Sequence, residues 1–511
     1  MIAERVLSAR TADRLVLLGA ALLAAAASGA IALQVFGGIP HLTDGAAYLF
    51  QGRIFAGGRL ALDPPPAAEL FAHENVVVDA DRWHSFYPFG WPALLAVGVL
   101  AGRPWLVNPV LLGVAVLGVA RAGARLYDRP TGRVAALALA VSPFALIMSA
   151  SHLSHTAALC AVAWCLAALA GAAADRRPRR MALAGALGGL ALAVRPFTAV
   201  LVLAIPVVAA LFRFRRRWPV ALGWAAIGFG PFLAAHLAYN AEVFGDALIG
   251  GFAYSPQQYS FFPGEGVGDA VTAWLARCGW YVGRLSESLW GLPVPDLLLL
   301  APLALPGRGR GIDALLLASA AALVLGYAAY DYLGIFYSGP RYAFEALAPL
   351  SLLAASSLQR AWAWLAGWAG SPGPDRSPPL RRAGGALLAA GLLWFPLAER
   401  LPAQVERHAG WYLAVSPIPL EAARRAGVAR DALVFVAGTP WCYTIFFPRS
   451  SLEPAEGGPV YVRDVAPLRG AVRRIFPRAE TWIVEIVVRV PDPAGAPDVA
   501  VPVHVRWRRL D

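Results

Sequence analysis

The residues that could do chemistry in this chain sit just outside its apolar stretches. Asp44 follows the first such stretch in Pro40-His41-Leu42-Thr43-Asp44, where its carboxylate could act as a general base. Residues 45–55 are helix-permissive, so the same side chain also suits a helix N-cap. His152 and His155 lie three apart in a Ser-His-Leu-Ser-His turn. Such a pair can bind a metal, contact a phosphate or form only a polar turn. Arg195 and Arg341 stand beside Pro196 and Pro340, apart from the dense arginine clusters. They read either as functional guanidinium groups or as side chains snorkelling to an interface. Glu69, Glu74, Asp79 and Asp81 read as solvated loop charges. Asp79-Ala80-Asp81 has a spacing that can hold a hard cation, but no metal and no cofactor are expected.

Long apolar elements must position these groups. The 511 residues are 58% hydrophobic and only 15% charged, against about 25% charged in soluble proteins. Candidate spans are 15–36, 105–120, 132–150, 156–174, 181–194, 196–212, 218–239, 290–306, 312–333, 344–366 and 383–398. The first is too long for a signal-peptide core and reads as an uncleaved span. A net charge of +12 with no lysine raises nucleic acid as a partner. The arginines cluster at span ends rather than on one globular face, which excludes it. Heavy use of Ala, Gly, Pro and Arg reads as a GC-rich, bacterial genome.

The arginine clusters decide the topology. They hold Arg5, Arg10 and Arg14; Arg121, Arg125, Arg129 and Arg133; Arg176 to Arg180; Arg213 to Arg217; Arg308 and Arg310; and Arg376, Arg381 and Arg382. All fall on one side if 88–102, which opens with Pro88 and Pro92, does not cross. The positive-inside rule then places the N-terminus in the cytoplasm. The other side receives the first loop (37–104), the Ser149–His155 and Arg195–Pro196 turns, and the 241–289 loop. It also receives the Tyr337–Glu345 loop and the tail from 399 to 511. The tail has β-like runs at Ala432–Ala437, Val460–Val462 and Thr481–Val490, and reads as a small α/β domain after the Ser371–Pro379 linker. Phe244, Phe252, Tyr254, Tyr259, Phe261 and Phe262 suit either sugar stacking or an interfacial belt, and Trp441 and Tyr443 share that ambiguity. Cys160 and Cys165 lie in an apolar run; Cys278 and Cys442 either pair in an oxidising compartment or stay free.

Several motifs, taken in order, resemble the polyprenyl-phosphate-dependent glycosyltransferases of the GT-C superfamily. These include the protein O-mannosyltransferases, the aminoarabinose transferases and the rhizobial lipopolysaccharide glycosyltransferases. Asp44-Gly45-Ala46-Ala47-Tyr48 resembles the acidic motif of the first outer loop, with Gly45 where the family often has a second acid. Tyr87-Pro88-Phe89-Gly90-Trp91-Pro92 resembles the segment opening an interfacial helix, and Gly339-Pro340-Arg341-Tyr342 with Glu345 resembles a motif of the bacterial branch. Ser142-Pro143, Ser149–His155 and Arg195-Pro196 complete the resemblance, which covers roughly residues 15–400.

The resemblance implies an all-α GT-C-like membrane domain of about 11 transmembrane helices over 1–398, followed by a small α/β periplasmic domain over 399–511. It implies sugar transfer, with inversion, from a polyprenyl phosphate to a hydroxyl of a glycan, lipid or protein at the periplasmic face of the inner membrane. Asp44 would be the base; Arg195 and Arg341 would bind the donor phosphate bidentately. His152, His155, Tyr48, Tyr87, Tyr342 and Glu345 would be polar contacts of the substrate site. A transporter or flippase would carry charges near mid-span and repeats with broken helices; a catalytically inactive scaffold keeps the fold, and Gly45 leaves room for it. Tags at Pro374 and Asp511 are expected to report opposite sides of the membrane; both in the cytoplasm would undo the site assignment.

Overall fold

A membrane helix must satisfy its own backbone polar groups, and the apolar runs of this chain do so as helices. The computed structural model describes residues 2–254, 260–307, 309–334, 338–368, 379–411, 415–451, 457–477, 479–489 and 501–510. Tyr259 and most of the 371–379 linker lie outside them. Helix α1 (Ile2–Gln34) leads into α2 (Thr43–Ala56), a hairpin of β1 (Val76–Val78) and β2 (Trp83–Ser85), and α3 (Gly90–Leu100). Then come α4 (Val107–Leu126), α5 (Arg129–Ala140), α6 (Pro143–Ala150), α7 (His155–Asp175), α8 (Met181–Val194), α9 (Pro196–Phe212) and α10 (Trp218–Phe244). They are followed by α11 (Val267–Ser288), α12 (Arg310–Ala328), α13 (Leu347–Trp368), α14 (Pro379–Trp394) and α15 (Leu401–His408). Among the described residues, six helical stretches are long and apolar enough to cross a membrane, and the α5–α6 pair, bent by 56°, makes a seventh if it is one broken span. The protein is thus a multi-pass membrane protein.

The polar contacts separate two ends of the bundle. At one end Arg133 pairs with Asp13 at 2.8 Å, Arg125 with Asp175 at 3.8 Å, and Tyr127 donates to Asp313 at 2.6 Å. Arg360 completes that cluster on Asp313. At the other end Asn108 donates to the carbonyls of Ser151 and Leu153, and Arg195 reaches Ser154. Helix α3 stays at this second end. Gly90 abuts Ala193, Gly98 abuts Pro104, and the Trp91 indole donates to the carbonyl of His152. Its 11 residues span only about 16 Å.

Two segments differ from the expected spans. The 290–306 run is not an α-helix but an extended lead followed by a 3-10 helix, Asp296–Ala304. Pro293, Pro295 and Pro302 explain this, because proline removes a donor and clashes with the preceding turn. The Asp296 carboxylate gathers the free N–H groups of Trp290, Gly291 and Leu292. Within the expected 241–289 loop lies α11, an amphipathic helix against the site end of α12. Trp274 and Arg277 donate to the carbonyls of Leu325 and Ala328, and Tyr281 to that of Leu333.

The tail folds as α16 (Ile418–Arg425), β3 (Leu433–Ala437), the single turn α17 (Pro440–Tyr443), β4 (Val460–Arg463), α18 (Arg469–Ile475), β5 (Thr481–Arg489) and β6 (Val501–Arg509). The sheet order is β4-β3-β5-β6, parallel except for the β5–β6 pair. Strand β6, with Pro502 near its start, has no counterpart among the expected strands. Its core is continuous with that of the first loop: Phe447 packs on Phe50 at 5.1 Å and stacks on His73 at 4.5 Å. Arg53 of α2 donates to the carbonyls of Pro448 and Ser450. All four cysteines are free thiols, so Cys278 and Cys442 are not bonded to each other.

Replacing Phe447 by Ala should cost about 3–5 kcal/mol in the tail. It should also speed proteolysis within residues 57–82, because the loop loses the same core; a loop that keeps its protection would show the two units to be independent.

Candidate active site

Between the first loop, the α6–α7 turn, α8–α9 and the segment before α13 lies a cavity of about 690 Å³. Asp44 forms one side of its polar floor. It is the second residue of α2, whose N-cap position is Leu42 rather than Asp44. The carboxylate instead faces the cavity. Oδ1 accepts from the Tyr87 hydroxyl at 2.6 Å, and Oδ2 pairs with Arg341 Nη1 at 3.3 Å. Burial by itself would raise the Asp44 pKa, but the Arg341 guanidinium, helped by Tyr87, outweighs it and holds the carboxyl below the usual carboxylate range. Tyr48 stacks on Tyr87 at 4.2 Å and shares a hydrogen bond with Ser154 at 3.1 Å.

Arg341 reaches the cavity because the chain turns sharply before it. A Cβ on Gly339 would lie 2.8 Å from both Phe144 and the Ser288 hydroxyl, so only glycine passes there. A 3-10 turn, Arg341–Ala346, then presents Arg341, Tyr342 and Glu345. Tyr342 lies under both guanidinium groups, 5.2 Å from Arg341 and 5.6 Å from Arg195.

Arg195 ends α8, with Pro196 opening α9. It bonds to Ser154 at 3.2 Å and to Tyr327 and Thr198 at 3.0 and 3.1 Å. Its Nε also lies 3.2 Å from Glu345. Glu345 is fully buried behind the cavity wall and takes His155 Nδ1 on the same oxygen at 3.2 Å, while its second oxygen has no partner. The site therefore has two layers: Asp44 with Arg341 on the surface, and Glu345 holding Arg195 and His155 from beneath.

The expected residues do not all converge. Asp44, Tyr48, Tyr87, His155, Arg195, Arg341 and Tyr342 line the cavity. His152 does not; it occupies a separate crevice with His41, Pro40 and Gly45, and neither of its ring nitrogens has a partner. A Cβ on Gly45 would point at this crevice, 3.4 Å from His152 Cβ, so an acid at position 45 would face away from the cavity. The first-loop histidines, His41, His73 and His84, do not line the cavity. They bond to Phe36, Thr444 and Ser85 respectively. Asp79 Oδ1 accepts the backbone N–H groups of Asp81 and Arg82 in a turn. Among the described residues, no cluster of three or more His, Cys, Asp or Glu is placed to hold a metal.

Other lining residues went unread in the sequence. Glu74, taken as a solvated loop charge, lines the cavity with Thr43 and Asn75. Trp441, already named for sugar stacking or an interfacial belt, reaches in from the tail, and the unread Tyr327, Tyr330 and Tyr332 line the cavity from the end of α12. Their only signal was aromatic content near a span end, which an interfacial belt also produces. Phe197, Phe252 and Phe261 form an exposed apolar rim.

Residues 95–237 match the family described as dolichyl-phosphate-mannose-protein mannosyltransferase. No curated protein matches the chain. Among solved structures, ArnT from Cupriavidus metallidurans bound to undecaprenyl phosphate is similar with 13% identity and a TM-score of 0.55, over 96% of this chain and 97% of that one. The apo form of the same protein gives 14% identity and a TM-score of 0.53, over 93% of each chain. The oligosaccharyltransferase AglB from Archaeoglobus fulgidus is matched at 12% identity and a TM-score of 0.47, over 92% of this chain and 69% of that one. The chain has the fold of the GT-C superfamily.

Arg341→Gln should destabilise the protein by somewhat less than the ~3–5 kcal/mol of a fully buried broken pair, because the Asp44 side chain keeps 20% of its exposure. Adding Asp44→Asn should recover part of the loss, with a coupling of about 1–3 kcal/mol in thermal unfolding. Additive effects would mean that the pair does not hold the loop to the bundle.

Proposed function

We propose that this protein is a membrane glycosyltransferase that moves a sugar from a polyprenyl-phosphate donor to an acceptor hydroxyl. The observation that carries the reading is the cavity itself: the Asp44 and Glu74 carboxylates and two guanidinium groups in its polar part, beneath an apolar aromatic rim. A lipid-linked donor has the matching division, an anionic phosphate on a hydrocarbon tail. ArnT, whose fold this chain shares, has been solved with undecaprenyl phosphate bound. The reaction face is the one opposite the arginine clusters, read as periplasmic in a bacterial inner membrane, with the tail on the same side.

The step balances as follows. The acceptor oxygen attacks the anomeric carbon, and the bond from that carbon to the phosphate oxygen breaks with its electron pair going to the phosphate. The acceptor proton passes to Asp44. Attack from the face opposite the leaving group inverts the anomeric centre. The Tyr87 and Arg341 contacts keep Asp44 ionised and oriented, leaving lone pairs for the incoming proton. Phosphate charge rises from one to two negatives on departure, so a nearby cation stabilises the transition state more than the ground state. Arg195 suits that role best, because its two Nη groups bond to the neutral hydroxyls of Ser154 and Tyr327, which a phosphate oxygen can displace. Arg341, already paired with Asp44, positions the base and adds positive charge to the floor. His155, Tyr48 and Tyr342 supply polar and stacking contacts for the sugar.

The test supplies purified protein with polyprenyl-phosphate sugars. Asp44→Asn should abolish turnover at equal folding, a loss on the order of 10²–10⁴ for a removed base. Since the Asp44 pKa lies below the ordinary value of ~3.9, its ionised form persists as pH falls from ~8 to ~5. Turnover should accordingly show no acid limb from this group in that window. Equal activity of Asp44→Asn would remove Asp44 as base, and no turnover with any donor would leave the scaffold reading.

A further inference from the structure

At the arginine-rich end, far from the cavity, α4, α7 and α8 enclose a second groove of about 310 Å³. Its mouth carries Arg121, Arg125 and Arg180. A single carboxylate serves them: Asp175 lies 3.8 Å from Arg125 and also pairs with Arg180. Three guanidinium groups against one carboxylate leave two positive charges uncompensated. Arg121 has no ion pair or hydrogen bond among the described residues, and its charged neighbours, Arg125 and Arg180, repel it. The positive-inside rule accounts for arginines on this side but not for three of them meeting at one groove; an anion there would relieve the repulsion.

Below the arginines the groove is apolar. Its floor is the Ala167–Ala172 stretch of α7 and the Trp164 ring. That ring is fixed, since its Nε1–H donates to the Val114 carbonyl at 2.9 Å and the ring crosses Gly118 so closely that a Cβ there would lie 2.9 Å away. Leu183 borders the groove with 61% of its surface exposed, apolar area that an acyl chain in the groove would cover. Trp164, Ala168, Gly171 and Asp175 follow one face of α7 at helical spacing. Over 11 residues that face runs about 16 Å, from the headgroup layer into the acyl region.

We propose that this groove binds an anionic membrane phospholipid, with its phosphodiester on Arg121, Arg125 and Arg180 and an acyl chain along α7. Basic pockets between helices at the membrane surface hold such headgroups. A free phosphate would use the arginines but leave the apolar floor and Leu183 uncovered. The inference is independent of the sugar-transfer reading, because the groove and the cavity share no residue.

The test is native mass spectrometry of the delipidated full chain in detergent, titrated with phosphatidylglycerol, phosphatidylcholine or inorganic phosphate. Phosphatidylglycerol should be retained over phosphatidylcholine. Arg121→Gln, an exposed change that disturbs no contact, should weaken its binding about fivefold, and adding Arg180→Gln about fivefold again. Arg217→Gln, in another arginine cluster, should leave it unchanged. Equal retention of the two lipids, an equal loss with Arg217→Gln, or full competition by inorganic phosphate would each overturn the proposal.

Discussion

A charge buried at a membrane surface must find a partner, and in this protein the partner of Asp44 is Arg341, 297 residues away in sequence. That ion pair ties the first loop to the segment before α13. Most of the site depends on it. Tyr87 can donate to Asp44 only because α2 holds the carboxylate toward the β2–α3 connection. Arg341 can arrive only because Gly339 threads between α6 and α11. The same arginine that orients the carboxylate also keeps it ionised, so geometry and protonation state have one cause.

A second carboxylate repeats the arrangement one layer deeper. Glu345 restrains Arg195 and His155 together, so this side of the cavity is held from behind while the two Nη groups of Arg195 meet the neutral hydroxyls of Ser154 and Tyr327. This division lets two arginines serve different ends. One is committed to an acid in the cavity; the other has displaceable neighbours. The tail joins the same construction, since Phe447 and Trp441 bring its sheet onto the first loop and into the cavity wall. The α/β tail and the loop between α1 and α4 thus form one packed layer over the helix bundle.

The two ends of the bundle use arginine in opposite ways. At the site end single arginines are buried against acids and aromatics. At the far end they are numerous, partly exposed and under-compensated, as around the α4–α7–α8 groove. Both patterns come from the same cost of placing charge in hydrocarbon, met inside by pairing and at the surface by headgroups and water.

Much was already determined by sequence alone. Apolar run length defines the spans, and scarce polar residues must gather at their ends, so Asp44, Arg195, Arg341 and His155 stood out as isolated charges or rings outside the arginine clusters. Strands β3, β4 and β5 were legible from their alternation and turns. What the tertiary structure decided was direction and partnership. His152 and His155 are three residues apart, yet one enters a closed crevice and the other the cavity, because the α6–α7 turn lies between them and its packing aims each ring. Gly45 reads in sequence as a missing acid, but position 45 faces that crevice. The amphipathic α11 hid among interrupting charges, and three prolines turned an apolar run into a 3-10 helix. The pairing of Asp44 with Arg341, and of Glu345 with Arg195, could not be read at all. Spacing along the chain reports which face of one element a side chain occupies; which distant element meets that face is set by packing among helices, and only the folded bundle supplies it.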